Sequence, residues 1–340
     1  MKAALSYGPR DIRVEAVEDV ALGDYDVRVR NKAVGICGTD IHIFNGEKGS
    51  TEVKPPVALG HEFSGEVADV GRKVTTVSVG DRVTIDPNIY CGKCHYCKIG
   101  KKQHCENLTA IGVNFDGGFA EYSIIPEQQV YVLGQNIDYE VGAMAEPLAC
   151  CLHGIDLVEI RAGDTVCVVG GGTIGQLMVQ LAKLSGASRV ILSEPIAERR
   201  RIALENGANF VFDPIREPLR KSLQDVVGVP GVDAIIECAG TPKAVEQAFE
   251  IAKRGAAIVL FSVPAPDTKY PLDLYDVFKK ELKITGSFIN PDTHQRAVNL
   301  INAAKVNIEP LITHRYGLEA VTTAIQKQTE SDSIKVIVKP

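Results

Sequence analysis

Along the first 150 residues, apolar positions fall in short runs broken by glycine and polar turns. Valine-rich stretches at 27–30, 66–70 and 81–85 read as strands, the last introduced by Val79-Gly80. Segments of this kind predict a mainly β domain. From about Asp164 the rhythm changes. The run Thr165-Val166-Cys167-Val168-Val169 is a short apolar strand, and Ile174, Leu177, Met178 and Leu181 then recur at helical spacing. A second strand is predicted at 188–192, followed by a helix with Pro195 in its first turn and Gly207 at its stop. Further buried strands follow at 232–238 and 256–261, with a last one at 282–287. Alternating strands and helices predict a doubly wound parallel sheet. The tail from about Asn290 carries helices and an ending strand at 333–338, which periodicity alone does not assign to either region.

The length of 340 residues suits two domains of ordinary size, and 45% hydrophobic with 24% charged residues suits a globular chain with a core. The net charge of −6 lacks the basic stripe of a nucleic-acid binder. Lys98, Lys101 and Lys102, and Arg199, Arg200 and Arg201, form short basic clusters that read as solvated faces. The N-terminus shows no charged leader with an apolar core, and no apolar run approaches the roughly 20 residues that span a bilayer. The expectation is a cytosolic protein with no membrane partner. Nine cysteines are an odd number for a disulfide framework in that compartment, and four of them are closely spaced.

Those four are Cys91, Cys94, Cys97 and Cys105, a C-x2-C-x2-C-x7-C pattern suited to closed tetrahedral zinc. Four thiolates leave no open position, so this metal is structural; the ligands alone also suit an iron–sulfur cluster, with zinc preferred in this setting. His95 and His104 lie within the lobe as surplus surface residues. Cys150, Cys151, Cys167 and Cys238 stand in apolar settings and read as small core residues.

Beyond the strand at 165–169 comes Gly170-Gly171-Gly172-Thr173-Ile174-Gly175. Gly170, Gly172 and Gly175 fit G-x-G-x-x-G between a strand and a helix. The first permits the tight turn, the second lets backbone approach a pyrophosphate, and the third allows helix and strand to pack closely. The helix N-terminus attracts the anion. Glu194 follows the second strand, where an acidic residue about 20 positions on binds ribose hydroxyls. A carboxylate there favours NAD over NADP, although Arg199 nearby suits a 2′-phosphate.

Three separated segments carry further candidate chemistry: Gly35-Ile36-Cys37-Gly38-Thr39-Asp40-Ile41-His42, Gly60-His61-Glu62-Phe63-Ser64-Gly65-Glu66 and Ala145-Glu146-Pro147-Leu148-Ala149. Thiolate, imidazole and carboxylate together make a metal site with room for substrate. Spacing does not establish that they meet.

With these motifs in order along the whole chain, the sequence resembles the zinc-containing medium-chain dehydrogenases, closest to the polyol (sorbitol-like) branch. The resemblance implies an α/β protein with a mainly β, GroES-like catalytic domain over 1–149 and 287–340, and a Rossmann NAD-binding domain over 150–286. It implies that Cys37, His61 and Glu62 hold a catalytic zinc, completed by water or Glu146, with a second, structural zinc per chain. Glu146 stands where many alcohol dehydrogenases carry cysteine, which favours the polyol branch. Whether Glu62 and Glu146 bind directly or through water stays open. Thr39 and His42 match positions that carry the substrate proton to solvent. Thr173, Ile174, Glu194 and Arg199 match cofactor contacts, and Ser262, Val263, Ser287, Phe288 and Ile289 match loops bordering the nicotinamide. His153 reads as structural, while Phe44, Phe115 and Phe288 suit either the substrate pocket or the core.

The implied activity is oxidation of a polyol or small secondary alcohol by NAD, in a homodimer or homotetramer. The stretch Cys37 to His42 also resembles threonine and butanediol dehydrogenases, and Ser193-Glu194-Pro195 resembles the butanediol group; Glu146 argues against the threonine group and less clearly against the butanediol one. A reading of another class, a zinc-ribbon module binding nucleic acid, is opposed by the acidic balance and the second metal constellation.

Overall fold

The computed structural model describes residues 1–47, 53–264 and 267–340. The chain divides into two compact units, one of Met1–Ala149 with Asn290–Pro340, the other of Cys150–Ile289. The passage between them lies within helix Ala145–Val158. Ser287, Phe288 and Ile289 group with the second unit rather than with the returning segment, because the Ser287 N–H continues the sheet pairing by donating to the Leu260 carbonyl at 3.1 Å.

The first unit is built on a sheet whose order runs Val130–Val132, Arg82–Ile85, Glu62–Val70, Asp26–Gly35, Lys335–Lys339, Ile312–Gly317, with Tyr122–Pro126 also paired to Asp26–Gly35. The predicted strands at 27–30 and 66–70 are the apolar centres of longer ones. In Asp26–Gly35, Val27 and Val29 point into the core with Phe63, Val67, Ile125 and Val336. Bulges near Arg28 and Asn31 then shift the register against Glu62–Val70. The simple two-residue alternation ends there, so the strand is longer than its period suggests. Asn31 is buried at that break, and its amide donates to the Ala120 carbonyl and the Ser123 hydroxyl, both at 2.8 Å. The tail strand Lys335–Lys339 inserts antiparallel beside Asp26–Gly35, which assigns the segment that periodicity left unplaced.

In the second unit, six parallel strands are labelled here β1 (Thr165–Val169), β2 (Arg189–Ser193), β3 (Phe210–Phe212), β4 (Val232–Glu237), β5 (Ala252–Leu260) and β6 (Lys283–Gly286). Their order is β3-β2-β1-β4-β5-β6. Every residue of β1 is buried, as expected for a parallel strand covered on both faces. Cys151 and Cys167 are fully buried, whereas Cys150 and Cys238 are only partly so. Pro195 lies just outside the following helix, Ala197–Glu205, with Ile196 at the N-cap. The Glu194 carboxylate accepts the Ile196 N–H at 2.8 Å, which holds that stretch as a turn and delays the helix.

Candidate metal centres and nucleotide-binding loop

Sheet register brings the first constellation together. Gly35 ends its strand opposite Glu62, and on its other side faces Ile337. Cys37 follows as the N-cap of helix α1 (Gly38–Asn45), while His61 precedes the facing strand. One ligand atom each from Cys37, His61 and Glu62 lies within 4.8 Å of the other two. Gly35 is required here, since a Cβ would fall 2.7 Å from Lys335 Cε and against a Glu62 oxygen.

Charge around His61 fits a cation. Burial works to deprotonate its ring, yet the charges on Cys37 and Asp40, a hydrogen bond to Cys37 and the charge on Glu146 hold its pKa well above the ordinary value. Asp40, with no exposure, accepts the Cys37 N–H at 2.8 Å through Oδ2. Its Oδ1 faces His61 Nδ1 at 3.6 Å, an ion-pair separation, and neither atom has a hydrogen-bond partner among the described residues. Asp40 thereby addresses the ring from the Nδ1 side and leaves Nε2 for a metal, the usual support of a histidine ligand. Thiolate, imidazole and carboxylate at this separation match an open zinc site. Glu146 is buried and acts electrostatically on both His61 and Lys335, but it lies outside the three-atom group.

Lys335 is a neighbour of this cluster that sequence reading missed. Only 2% exposed, it pairs with Glu62 Oε2 and donates to the Ile36 carbonyl at 2.9 Å. Burial works against its charge, but Glu62 and Cys37 raise its pKa overall. A lysine inside the apolar run Ile334-Lys335-Val336-Ile337 was the available signal. Asp40, three residues after the Cys37 N-cap, carried a capping-box signal of its own.

Thr39 and His42 lie three residues apart on α1, so they share a face, and both are partly buried. His42 Nδ1 contacts Glu47 Oε2, a partner the sequence did not reveal. Phe44 belongs to the core of the first unit, whereas Phe115 is exposed.

The four-cysteine lobe is likewise assembled, with its sulfurs within 4.8 Å of one another. Backbone amides are aimed at them: Cys91 N–H donates to Cys105 Sγ at 3.3 Å, and Cys94 N–H to Cys91 Sγ at 3.4 Å. Amides of Lys93 and Cys94 lower the Cys91 pKa to about 6, while desolvation and neighbouring thiols push Cys97 up to about 12. Four sulfurs this close ionise together only around a cation, and zinc fits. His95 and His104 are exposed, as expected.

In the second unit, the three glycines are distinguished by what surrounds them. Gly170 has φ +97°, Gly172 has open space where a Cβ would sit, and a Cβ on Gly175 would fall 1.9 Å from the Gly170 carbonyl oxygen. Gly172 caps helix α2 (Thr173–Leu184) without a side-chain cap, leaving the helix N-terminus to a ligand. Gly171, unassigned from sequence, is also constrained. Its N–H donates to Glu194 Oε2 at 2.6 Å, and a Cβ would lie 2.9 Å from Glu194 Cγ. Glu194 is 3% exposed and held at the tip of β2, while Thr173 and Ile174 at the start of α2 and Arg199 beyond β2 are partly buried. Ser262 and Val263 follow β5, and Ser287, Phe288 and Ile289 follow β6. Val263 and Phe288 are exposed, and Ile289 holds φ +49°, an uncommon conformation for a β-branched residue.

Comparison with known proteins agrees with this architecture. The model of the alcohol dehydrogenase GroES-like domain matches residues 23–135, and that of the zinc-binding dehydrogenases matches residues 173–303. The chain is 34% identical to an L-threonine 3-dehydrogenase of Pyrococcus furiosus, over 99% of this chain and 97% of the relative. It is 33% identical to a sorbitol dehydrogenase of Halalkalibacterium halodurans, over 100% and 99%. A crystal structure from Sinorhizobium meliloti, described as a zinc-binding dehydrogenase bound to NADP, superposes with TM-score 0.95 and 41% identity, covering 100% of this chain and 99% of that one.

Proposed function

The chain belongs to the zinc-binding alcohol dehydrogenase family, and from that premise we propose that it oxidises a secondary hydroxyl of a polyol to the ketone. The observation carrying this reading is the meeting of Cys37, His61 and Glu62 ligand atoms within 4.8 Å. Zinc bound there supplies Lewis acidity that eases loss of the hydroxyl proton. A dinucleotide held by the glycine loop and Glu194 would supply the redox chemistry as hydride acceptor. The protein's share is geometry and proton traffic. Asp40 orients His61, Lys335 holds Glu62, and Thr39 with His42 passes the proton outward. An Nδ1–H donated to Glu47 leaves Nε2 of His42 as the acceptor in that relay. Cys91, Cys94, Cys97 and Cys105 would hold the structural zinc.

NAD is supported by Glu194, whose fixed carboxylate would accept ribose hydroxyls and repel a 2′-phosphate. A polyol is supported by Glu146, which makes the surroundings of the metal richer in oxygen. A second reading, oxidation of L-threonine, is supported by the relatives of that name and by the stretch Cys37 to His42. Initial rates with sugar alcohols, vicinal diols and L-threonine, each with NAD and NADP, separate these readings. Preferred turnover of a sugar alcohol with NAD is the expected result, and turnover confined to L-threonine would transfer the assignment. For the metal, Cys37→Ser should remove one zinc per chain and cost at least about a hundredfold in activity. Full activity with one zinc missing would end the proposed mechanism.

A further inference from the structure

We infer that Glu237, a residue with no signal in the motifs, is a positioning residue for the nicotinamide half of the dinucleotide site. The inference rests on the dinucleotide reading above. Strand order reverses between β1 and β4, and at such a switch point the two halves of a dinucleotide lie over the strand tips on either side. The glycine loop after β1 and Glu194 after β2 occupy one side. The second half therefore belongs over the tips of β4 and β5.

Glu237 is the last residue of β4 and has no exposure. Its Oε1 accepts the N–H groups of Ala239 at 2.7 Å and Gly240 at 2.8 Å. Its Oε2 accepts the hydroxyl of Ser262, beyond the end of β5. Its main-chain carbonyl also accepts the N–H groups of Phe261 at 2.9 Å and Ser262 at 3.2 Å. One side chain thus ties together two strand tips that are separate in sequence. Gly240 has φ +72°, and a Cβ there would approach Ser262 Cβ to 3.3 Å, so the two tips are in close contact. Next to the clamped Ser262, Val263 is 72% exposed and offers an apolar face to a planar ring.

A buried carboxylate with three directed donors forms strong, charge-assisted hydrogen bonds. Such a clamp fixes the tips at the precision hydride transfer needs, where a displacement of about 1 Å costs on the order of a hundredfold. Its carboxylate accepts from Ala239, which borders Gly170 of the glycine loop, and from Gly240 and Ser262 on the β5 side, so the larger effect should fall on the nicotinamide end.

The test compares binding of the preferred reduced cofactor, NADH or NADPH, with binding of the matching ADP-ribose fragment, which lacks the nicotinamide. In Glu237→Ala, cofactor Kd should rise at least about tenfold and kcat should fall, while fragment Kd stays within about threefold. Glu237→Gln should restore most of the cofactor affinity, because its amide oxygen can serve the two N–H groups and its NH2 can donate to Ser262. Fragment binding itself reports that the second unit is folded. If Glu237→Ala does not fold, Glu237→Asp reads the same split by retracting the carboxylate one methylene. Unchanged cofactor affinity, or equal loss of cofactor and fragment affinity in a folded variant, overturns the inference. Failure of the wild-type protein to bind either fragment instead overturns the dinucleotide reading beneath it.

Discussion

At Asp40 a carboxylate with no exposure reaches two parts of the metal cluster at once, the Cys37 amide at 2.8 Å and His61 Nδ1 at 3.6 Å. An amide of the same shape keeps the first contact but loses the charge that orients the imidazole. Asp40→Asn should therefore weaken zinc binding at this centre by about 10- to 100-fold, as removal of such supports does elsewhere. Competition with a chelator measures it, and the four-cysteine zinc serves as the internal control. Glu194 poses the matching question for the cofactor. Glu194→Ala should weaken NAD binding by about tenfold or more while narrowing the preference over NADP, because both ribose hydrogen bonds and repulsion disappear. Equilibrium titration with both cofactors checks it, and unchanged affinity for both would remove the ribose role.

Within the glycine loop, one glycine is hemmed in by backbone and another faces open space, so their variants should fail differently. On α2, a Cβ at Gly175 meets the Gly170 carbonyl at 1.9 Å, so helix and strand must separate. Gly175→Ala should cost about 1–3 kcal/mol of stability, read as a lower unfolding midpoint. At Gly172 nothing stands within 4 Å of the added methyl. Gly172→Ala should leave stability within about 0.5 kcal/mol yet weaken cofactor binding, since the methyl occupies the space through which phosphate approaches. The motif was legible from sequence, because its spacing reflects a local strand–turn–helix. Gly171 was not, since its need arises from Glu194 on the next strand. The delayed helix after Pro195 has the same origin: a carboxylate hydrogen bond, invisible to periodicity, outweighs proline's preference for a first turn.

Across the molecule, stability should respond to pH through two buried groups of the first unit acting in opposite directions. His294 is fully buried against Tyr131, its ring nitrogens have no hydrogen-bond partner among the described residues, and burial lowers its pKa from 6.5 to about 3. The unfolded chain takes up a proton near pH 6.5 that the fold refuses, so this contribution is lost as pH falls from there toward 3. Asp86 runs the other way. Burial raises it from 3.8 to about 6 against hydrogen bonds from Asn88 and Asn290, so its contribution is present below 3.8 and lost as pH rises through about 6. Between pH 4 and 6 the two partly cancel. His294→Phe should flatten the acid-side fall of the unfolding midpoint, and Asp86→Asn should steepen it; thermal melts across that window with zinc present check both. Unchanged profiles in both variants would show that neither group titrates as its surroundings dictate.

What the sequence determined by itself was local: the β-rich stretch followed by strand–helix alternation, the glycine turn and the four-cysteine lobe, each written within a few tens of residues. The meeting of Cys37 with His61 and Glu62, the intrusion of Lys335 and the bridge from Glu237 to Ser262 were decided by the tertiary structure. Alternation of apolar residues reports which face of a strand is buried, but the residue opposite is chosen by register, bulges and packing between distant segments.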